Sequence, residues 1–138
     1  MKVIVTLDDK NGMMFNKRRQ SRDIVLLKHM LDMVGEHKLF MNSYTAKQFL
    51  ELPCDNIIVD ENFLEVAGEE DFCFVEDQRL VAYREKISHI YIYKWNRLYP
   101  SDFKFEVDLT GWKGEVLVEF EGHSHDKITL EEWTDERG

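Results

Sequence analysis

The sequence is poor in cysteine, proline and glycine: its 138 residues include two cysteines, two prolines and seven glycines. Cys54 and Cys73 lie far apart without CxxC spacing, which argues against a zinc knuckle or a disulfide framework. We therefore predict two reduced core thiols. The scarcity of proline and glycine leaves little room for a linker or a disordered tail. These absences favour a single domain over residues 1–138 that needs neither a disulfide nor a metal to fold.

Long apolar runs are also missing. The apolar stretch within residues 1–9 is far too short for a signal peptide or a membrane span, and no later segment approaches the required length. From this pattern we expect a cytoplasmic protein without a membrane partner.

Positive charge is scarce: the sequence has 18 Lys and Arg against 27 Asp and Glu, which gives a formal net charge of -9. This balance argues against broad, sequence-independent nucleic-acid binding, which depends on phosphate neutralisation by cations. The charge is nevertheless uneven. Residues 1–38 hold eight cations and five acids, and four of the cations lie within six residues: Lys17, Arg18, Arg19 and Arg22. A functional interpretation has to explain this local reversal of sign.

Hydrophobic patterning predicts alternating strands and helices up to residue 86. We expect a strand at 3–7 with its turn at Gly12, and a helix from an N-cap at Ser21 to Gly35. A strand at 38–41 then leads into a helix that Ser43 caps, that runs to residue 50 and that Pro53 stops. The remaining elements of this part are a strand at 57–59, a short helix at 63–67 and a strand at 72–75.

After residue 86 the pattern favours strands with little helix between them, at 87–95, 103–109, 116–121 and 127–133. We expect these to be antiparallel strands at one edge of the sheet. The predicted fold class is thus α/β: a mixed, mostly parallel sheet with flanking helices and a C-terminal antiparallel ribbon.

The strongest ligand-site candidate is the 8–23 segment, which joins the first strand to the first helix, where open α/β sheets bind ligands. Arginines there could grip phosphate or carboxylate beside a helix N-terminus. Alternatively, the same cations could pair with acids of the chain itself, and both interpretations stay open. The candidate ligand-binding residues are Asp8, Asp9, Asn16, Arg18, Arg19, Gln20, Arg22 and Asp23, with Glu76 and Asp77 at the same sheet edge and the aromatic-basic pair Trp95 and Arg97.

Two further features have a functional and a structural interpretation. Asp23 lies at the start of the first helix, where a carboxylate is favoured electrostatically, but it could also bind an amidine-like ligand edge or move a proton. His123, His125 and Asp126 offer a weak metal-site candidate, since His-x-His on an extended strand places both imidazoles on one side. The structural interpretation is favoured for both features. No Ser-His-Asp, P-loop or GxGxxG pattern is present.

Several short motifs resemble dihydrofolate reductase, in a shortened form. An acid opens an apolar, Lys-containing helix, from Asp23 to Lys28, as in the family's pteridine-binding helix. Residues 42–45, Asn-Ser-Tyr-Thr, stand where the family has Gly-Arg-x-Thr. The last matching motifs, in an order similar to that family's last strands, are residues 99–102, Trp112 and residues 124–125.

The departures from that resemblance bear on the cofactor. The Arg that holds the phosphate of a nicotinamide cofactor is Ser43 here, and residues 75–77, Val-Glu-Asp, replace the expected Gly-Gly loop and would repel a pyrophosphate. The resemblance therefore implies the fold and a retained pocket around Asp23, but neither ordinary NADPH-dependent reduction nor a bound cofactor.

A second resemblance spans the whole chain. DD-x-x-GM-x-FN-x-RRQSRD, F-V-E-D, W-N-R-x-YP and SH-x-KIT are similar to motifs of small bacterial proteins that often carry the label ribonuclease Z. Ribonuclease Z itself is a much larger nuclease with His-x-His-x-Asp-His, and residues 123–127 here depart from that motif after the second His.

Three functions follow as hypotheses, and whether the protein is an enzyme stays open. The first is a reductase-like domain that binds a small anionic, nucleotide-like or pterin-like ligand at the 8–23 segment. The second is a non-enzymatic regulatory or protein-binding module whose acidic surface engages a basic protein partner. A metal-dependent ribonuclease is a distant third. The oligomeric state is not predicted.

Overall fold

A computed structural model describes residues 1–52 and 54–136. Within these residues, seven strands form the main sheet in the order β5-β4-β6-β1-β7-β10-β9. Neighbouring strands from β5 to β7 are parallel, whereas β10 pairs antiparallel with both β7 and β9. The predicted mixed, mostly parallel sheet with a C-terminal antiparallel ribbon is confirmed. The strands are β1 Lys2–Leu7, β4 Leu39–Met41, β5 Ile57–Val59, β6 Phe72–Phe74, β7 His89–Lys94, β9 Trp112–Phe120 and β10 Ile128–Asp135.

The longest helix of the described residues, α1, runs over Ile24–Val34. Its N-cap is Asp23, whose side chain accepts a hydrogen bond from the Val25 amide and so satisfies a first-turn donor. The predicted N-cap at Ser21 is therefore wrong by two residues. The helix ends at Gly35, as predicted, because the φ of 62° there suits a residue without a Cβ.

Two short helices follow on the crossovers: α2 Ser43–Ala46 and α3 Phe63–Val66. The side chain of Asn42, rather than the predicted Ser43, caps α2 by accepting from the Thr45 amide. The chain then tightens into a 3₁₀ turn over Lys47–Phe49, so the helix predicted to reach residue 50 is shorter. The expected stop at Pro53 lies outside the described residues.

The core occupies both faces of the main sheet, because the central strands are buried on each side. On one face, α1 packs its buried Leu27 and Met30 in a cluster with Ile4 of β1. On the other face, Val3 and Val5 share a second cluster with Phe63 of α3 and with Phe105 and Val107. This alternation along β1 follows from the two-residue period of a strand.

The prediction that residues 87–95 form an antiparallel strand at the edge of the sheet is wrong. Strand β7 pairs parallel with β1 in the interior of the sheet, from Lys2 opposite His89 to Leu7 opposite Lys94. The connection that makes this direction possible is the 3₁₀ segment Val81–Lys86, which the sequence pattern did not reveal. Strand content alone does not report direction, since parallel and antiparallel strands can share the same apolar pattern.

A small second sheet, with strand order β3-β2-β8, was not predicted. Its strands are β2 Gly12–Phe15, β3 Arg18–Arg19 and β8 Phe103–Lys104. Asn16 and Lys17 join β2 to β3 in a two-residue turn with positive φ at both positions, a geometry that matches the twist of a hairpin. The strand predicted over 103–109 therefore shrinks to two residues.

Gly12 does not supply the predicted turn. Asn11 takes the positive φ of 62°, and Gly12 begins β2. A Cβ at Gly12 would lie 2.5 Å from Nε2 of Gln20 and 2.7 Å from Oγ of Ser101, so the position needs glycine for space. In the part of the chain that the structure describes, no helix has the length and apolar character to cross a membrane.

Candidate functional site

The 8–23 segment begins at Asp8, directly after β1. The buried Asp8 carboxylate accepts hydrogen bonds from the amides of Lys10 (2.9 Å), Gly12 (2.7 Å) and Tyr99 (3.2 Å), and from Nε2 of Gln20 (3.1 Å). Burial alone would raise the pKa of Asp8, but these hydrogen bonds outweigh it and hold the pKa below its usual value. Asp8 therefore organises the segment from inside.

Arg19 is held by an internal ion pair. Its Nε lies 3.0 Å from Oε2 of Glu76 and its Nη2 lies 3.2 Å from Oε1, which is a two-pronged contact. The same Nη2 donates to the backbone carbonyl of Tyr44 at 3.1 Å, and the guanidinium lies 4.4 Å from the centre of the Tyr44 ring. Gln48 donates a further hydrogen bond to Glu76, which is 4% exposed. Arg19 therefore pairs with an acid of the chain itself, which is the second of the two interpretations that the sequence left open.

The other two arginines differ from Arg19. Arg22 is exposed and donates from Nη2 to the backbone carbonyl of Gln48 at 3.0 Å. Arg18 is exposed, and among residues 1–52 and 54–136 its side chain has neither a hydrogen-bond nor an ion-pair partner. The guanidinium of Arg18 is thus free to meet a ligand.

A pocket of about 440 Å³ opens beside Arg18. Four of the predicted site residues line the pocket: Asn16, Arg18, Arg19 and Gln20. The rest of the lining is Phe15, at the end of β2, and Tyr99 and Pro100, which follow β7. A volume of this size lies in the range of small-molecule sites.

The remaining acids predicted for this site lie elsewhere. Asp77 lines a separate pocket of about 380 Å³ with Lys17 and Asp102, and its Oδ1 accepts from Nδ2 of Asn42 at 2.9 Å. Asp9 is exposed, and its backbone amide donates to the carbonyl of Arg97 at 2.9 Å. Asp9 and Asp77 are therefore not part of the lining beside Arg18.

Asp23 points inward and is 2% exposed. Besides the Val25 amide, it accepts from the amides of His123 (2.9 Å) and Ser124 (3.0 Å), and its Oδ2 lies 2.9 Å from Nδ1 of His125. Burial alone would raise the pKa of Asp23, but these donors outweigh burial and hold the pKa far below its usual value. Asp23 is thus an ionised, fully partnered carboxylate.

His125 connects Asp23 to two hydroxyl groups. Its Nε2 lies 3.0 Å from Oγ of Ser21 and 3.0 Å from the hydroxyl oxygen of Tyr99. Its ring stacks on Trp95, with 4.4 Å between the ring centres and 26° between the planes. No sequence motif reveals this cluster, because Asp23 and His125 lie 102 residues apart along the chain. The sequence did indicate both residues separately, Asp23 as an acid at the start of the first helix and His125 as part of the weak metal candidate.

Trp95 and Arg97, the aromatic-basic pair among the candidate ligand-binding residues, separate in the structure. Trp95 is buried and packs against the His125 ring. Arg97 is exposed and donates from Nη2 to the backbone carbonyl of Ser124 at 2.9 Å. One face of the indole is therefore occupied by the protein itself.

The two histidines of the weak metal candidate do not share one side of a strand. Residues 121–127 connect β9 to β10 outside both strands, and within them His123 and Asp126 are exposed while His125 is buried. Among the described residues, no group of three or more His, Cys, Asp or Glu side chains could hold a metal ion. The expected placement on an extended strand is wrong, because this stretch turns around the Asp23 carboxylate instead.

Comparison with known proteins identifies the fold. No protein-family model matches the chain, and no curated protein sequence matches it. Among solved structures, the dihydrofolate reductase of Enterococcus faecalis, in complex with NADP(H) and RAB-propyl, is similar with a TM-score of 0.67 and 12% identity. The match covers 98% of this chain and 95% of that one. The chain therefore has a dihydrofolate reductase-like fold.

Proposed function

We propose that this protein is a dihydrofolate reductase-like domain that binds a small anionic ligand, nucleotide-like or pterin-like, in the pocket beside Arg18. The observation that carries the proposal is the contrast between two neighbouring arginines. Arg19 is already neutralised by Glu76, whereas Arg18 reaches the same pocket without a partner among the described residues. A free guanidinium on a pocket wall recognises phosphate or carboxylate with two parallel hydrogen bonds.

The rest of the lining suits such a ligand. Phe15 is 41% exposed and, with Tyr99, offers an aromatic surface to a planar ring. Asn16 adds an amide group that donates and accepts hydrogen bonds, whereas the Gln20 NH₂ group already donates to Asp8 and to the backbone carbonyl of Pro100. The lining thus combines three apolar or aromatic side chains with four polar or charged ones, and such polar groups fix the orientation of a bound ligand.

The proposal does not include ordinary NADPH-dependent reduction. At the start of α2, the Ser43 amide already donates to Oε2 of Glu61 at 2.8 Å, so the chain's own carboxylate occupies a donor that could meet a cofactor phosphate. Asp77 follows β6 and adds a negative charge at the same edge of the sheet, whereas Glu76 is neutralised by Arg19. Asp77 opposes a pyrophosphate.

The test is ligand-dependent thermal stabilisation with folate, AMP, NADP⁺ and inorganic phosphate. A ligand at 100 times its dissociation constant stabilises the folded state by about 2.7 kcal/mol, which raises the melting temperature by several degrees. Arg18→Ala should remove the shift, and Arg18→Lys should weaken it because the forked contact is lost. Lys28→Ala removes an equivalent exposed charge on α1 and should leave the shift unchanged. Absence of any shift with all four probes contradicts the proposal.

A second candidate function, a protein-binding module, is favoured by β9. This edge strand is exposed along most of its length, including Val116 (56%), Leu117 (44%) and Val118 (37%). The exposed Glu115 on the same strand would attract a basic extended segment that adds to the sheet edge, whereas Glu119 is paired with Lys127. Amide hydrogen exchange tests this function: a Lys-rich β-strand peptide should protect the β9 amides, and unchanged exchange contradicts it.

A further inference from the structure

The cluster around His125 has the arrangement of an acid, a base and a nucleophile. The Oδ2 atom of Asp23 lies 2.9 Å from Nδ1 of His125, and Nε2 of the same ring lies 3.0 Å from Oγ of Ser21. Serine hydrolases are recognised by this chain of contacts, from acid to base to nucleophile, and not by the positions of the three residues in the sequence. Along this chain the three residues follow one another as Ser21, Asp23 and His125.

The hydrogen bonds define the role of each atom. Because Asp23 is an ionised acceptor, Nδ1 of His125 donates to it, and in the neutral ring Nε2 is then the acceptor that faces the Ser21 and Tyr99 hydroxyls. Nε2 can therefore receive the hydroxyl proton. The Tyr99 hydroxyl lies at the same distance from Nε2, and Tyr99 also lines the pocket.

The base is held rigidly. His125 is 3% exposed and stacks on the buried Trp95, while the backbone amides of His123 and Ser124 fix the Asp23 carboxylate that orients the ring. Such preorganisation is what general-base catalysis requires.

The nucleophile, in contrast, is within reach of solvent. Ser21 is partly exposed and directly follows Gln20, which lines the 440 Å³ pocket together with Tyr99. Ser21 and His125 are not part of the pocket lining, but Tyr99, the second hydroxyl partner of Nε2, is, so the pocket adjoins the cluster through Gln20 and Tyr99.

We propose that Ser21 is a catalytic nucleophile, activated by His125 and Asp23, that hydrolyses small carboxylic esters. Ser21 Oγ forms a bond to the ester carbonyl carbon while its proton moves to Nε2 of His125. The bond from carbon to the leaving alcohol oxygen then breaks, and Nε2 returns the proton to that oxygen. Water attacks the acyl-Ser21 carbon, gives a proton to Nε2, and the carbon–Oγ bond breaks as Oγ takes the proton back. Ester and water become acid and alcohol, without any change of oxidation state.

The first experiment uses a fluorophosphonate, which forms a stable bond to an activated serine. Intact wild-type protein should gain the mass of one adduct, and peptide mapping should place the adduct on Ser21. Wild-type mapping decides the matter without any variant. An adduct on another residue, or none, overturns the proposal.

The second experiment measures release of p-nitrophenol from p-nitrophenyl acetate. Ser21→Ala should lower the enzyme-dependent rate by at least about 100-fold. This variant should fold, because Nε2 of His125 keeps its contact with Tyr99 and Nδ1 keeps its contact with Asp23. A folded Ser21→Ala protein with the wild-type rate overturns the proposal.

Ser88→Ala is the matched control. Ser88 Oγ also lies 2.9 Å from a histidine nitrogen, Nδ1 of His89, but it precedes β7 at the other end of the strand from Trp95. Its loss should change neither the adduct nor the rate. Because p-nitrophenyl acetate carries no anionic group, this test does not depend on Arg18, and it can fail or succeed separately from the proposed anion site.

Discussion

Replacing Asp23 by Asn tests the physical role of the most completely partnered carboxylate in the site. The substitution keeps the size and shape of the side chain and preserves a good helix N-cap. The contact between Oδ1 and the Val25 amide survives, but an NH₂ group now stands where Oδ2 accepted from the Ser124 amide and His125. A donor then faces donors.

The magnitude follows from the contacts at Oδ2. A hydrogen bond to a charged acceptor contributes about 1.5–3 kcal/mol, and a buried donor left unpaired costs about 1–3 kcal/mol. His125 can relieve its own contact by moving its hydrogen from Nδ1 to Nε2, whereas the Ser124 amide has no such freedom. We therefore expect Asp23→Asn to lower the free energy of unfolding by about 2–4 kcal/mol at pH 7.

The same reasoning fixes the pH dependence. The pKa of Asp23 in the folded protein is far below its value in the unfolded chain, which is about 3.9. The stabilisation by the ionised form is therefore complete above about pH 5 and is lost as the pH falls through the folded-state value. The amide of the Asp23→Asn variant does not titrate. The difference between the two proteins should shrink steadily below about pH 4, while all other carboxylates cancel in the comparison.

Urea denaturation, followed by circular dichroism at pH 7, 5, 4 and 3, measures this difference. Asp126→Asn is the control, because Asp126 is an exposed acid in the same connection and should change stability by less than about 0.5 kcal/mol. If Asp23→Asn is equally harmless at pH 7, or if the difference stays constant down to pH 3, the assigned role of Asp23 is wrong.

Three further substitutions and modifications test other parts of the structure. Gly12→Ala should lower the free energy of unfolding in urea by about 1–3 kcal/mol, because the added Cβ would lie 2.5–2.8 Å from side-chain atoms. Gly68→Ala is the control, since its nearest contact is at 3.4 Å. A cost for Gly12→Ala no larger than that of the control contradicts this prediction. Arg19→Ala should cost about 3 kcal/mol in the same assay since it leaves the carboxylate of Glu76 buried, and a cost below about 1 kcal/mol shows that the ion pair is not structural. Burial raises the pKa of the Cys73 thiol to about 12, so at pH 8 iodoacetamide should modify this thiol only after the protein unfolds. Mass spectrometry measures the modification, and rapid modification of the folded protein refutes the prediction.

Local patterns predicted the regular elements well where the physical cause was local. The 3.6-residue period placed α1, and Gly35 marked its end because a left-handed residue after a helix favours glycine. β5 was predicted to the residue at Ile57–Val59. In contrast, the β2–β3 hairpin was not predicted because Asn16 and Lys17, rather than a glycine, adopt its positive φ angles.

The candidate site was predictable in position and only partly in composition. The reversed charge and the strand-to-helix connection pointed to the 8–23 segment, and the pocket beside Arg18 lies there. The Ser21–His125 contact could not be predicted, since its partners lie 104 residues apart and form no motif. From the sequence, His125 had a metal-ligand and a structural interpretation, and neither pairs it with Ser21.

By itself, the sequence determined the α/β class, the amphipathic first helix with an acid at its start, and the concentration of cations just before it, because these depend on neighbours within a few residues. Only the tertiary structure decided that, among the described residues, Arg19 has an ion-pair partner and Arg18 has none. Arg18 and Arg19 are chemically identical and adjacent, but Arg19 faces Glu76, 57 residues away, while Arg18 faces the pocket. Charge pairing depends on distance through space, and the fold sets that distance.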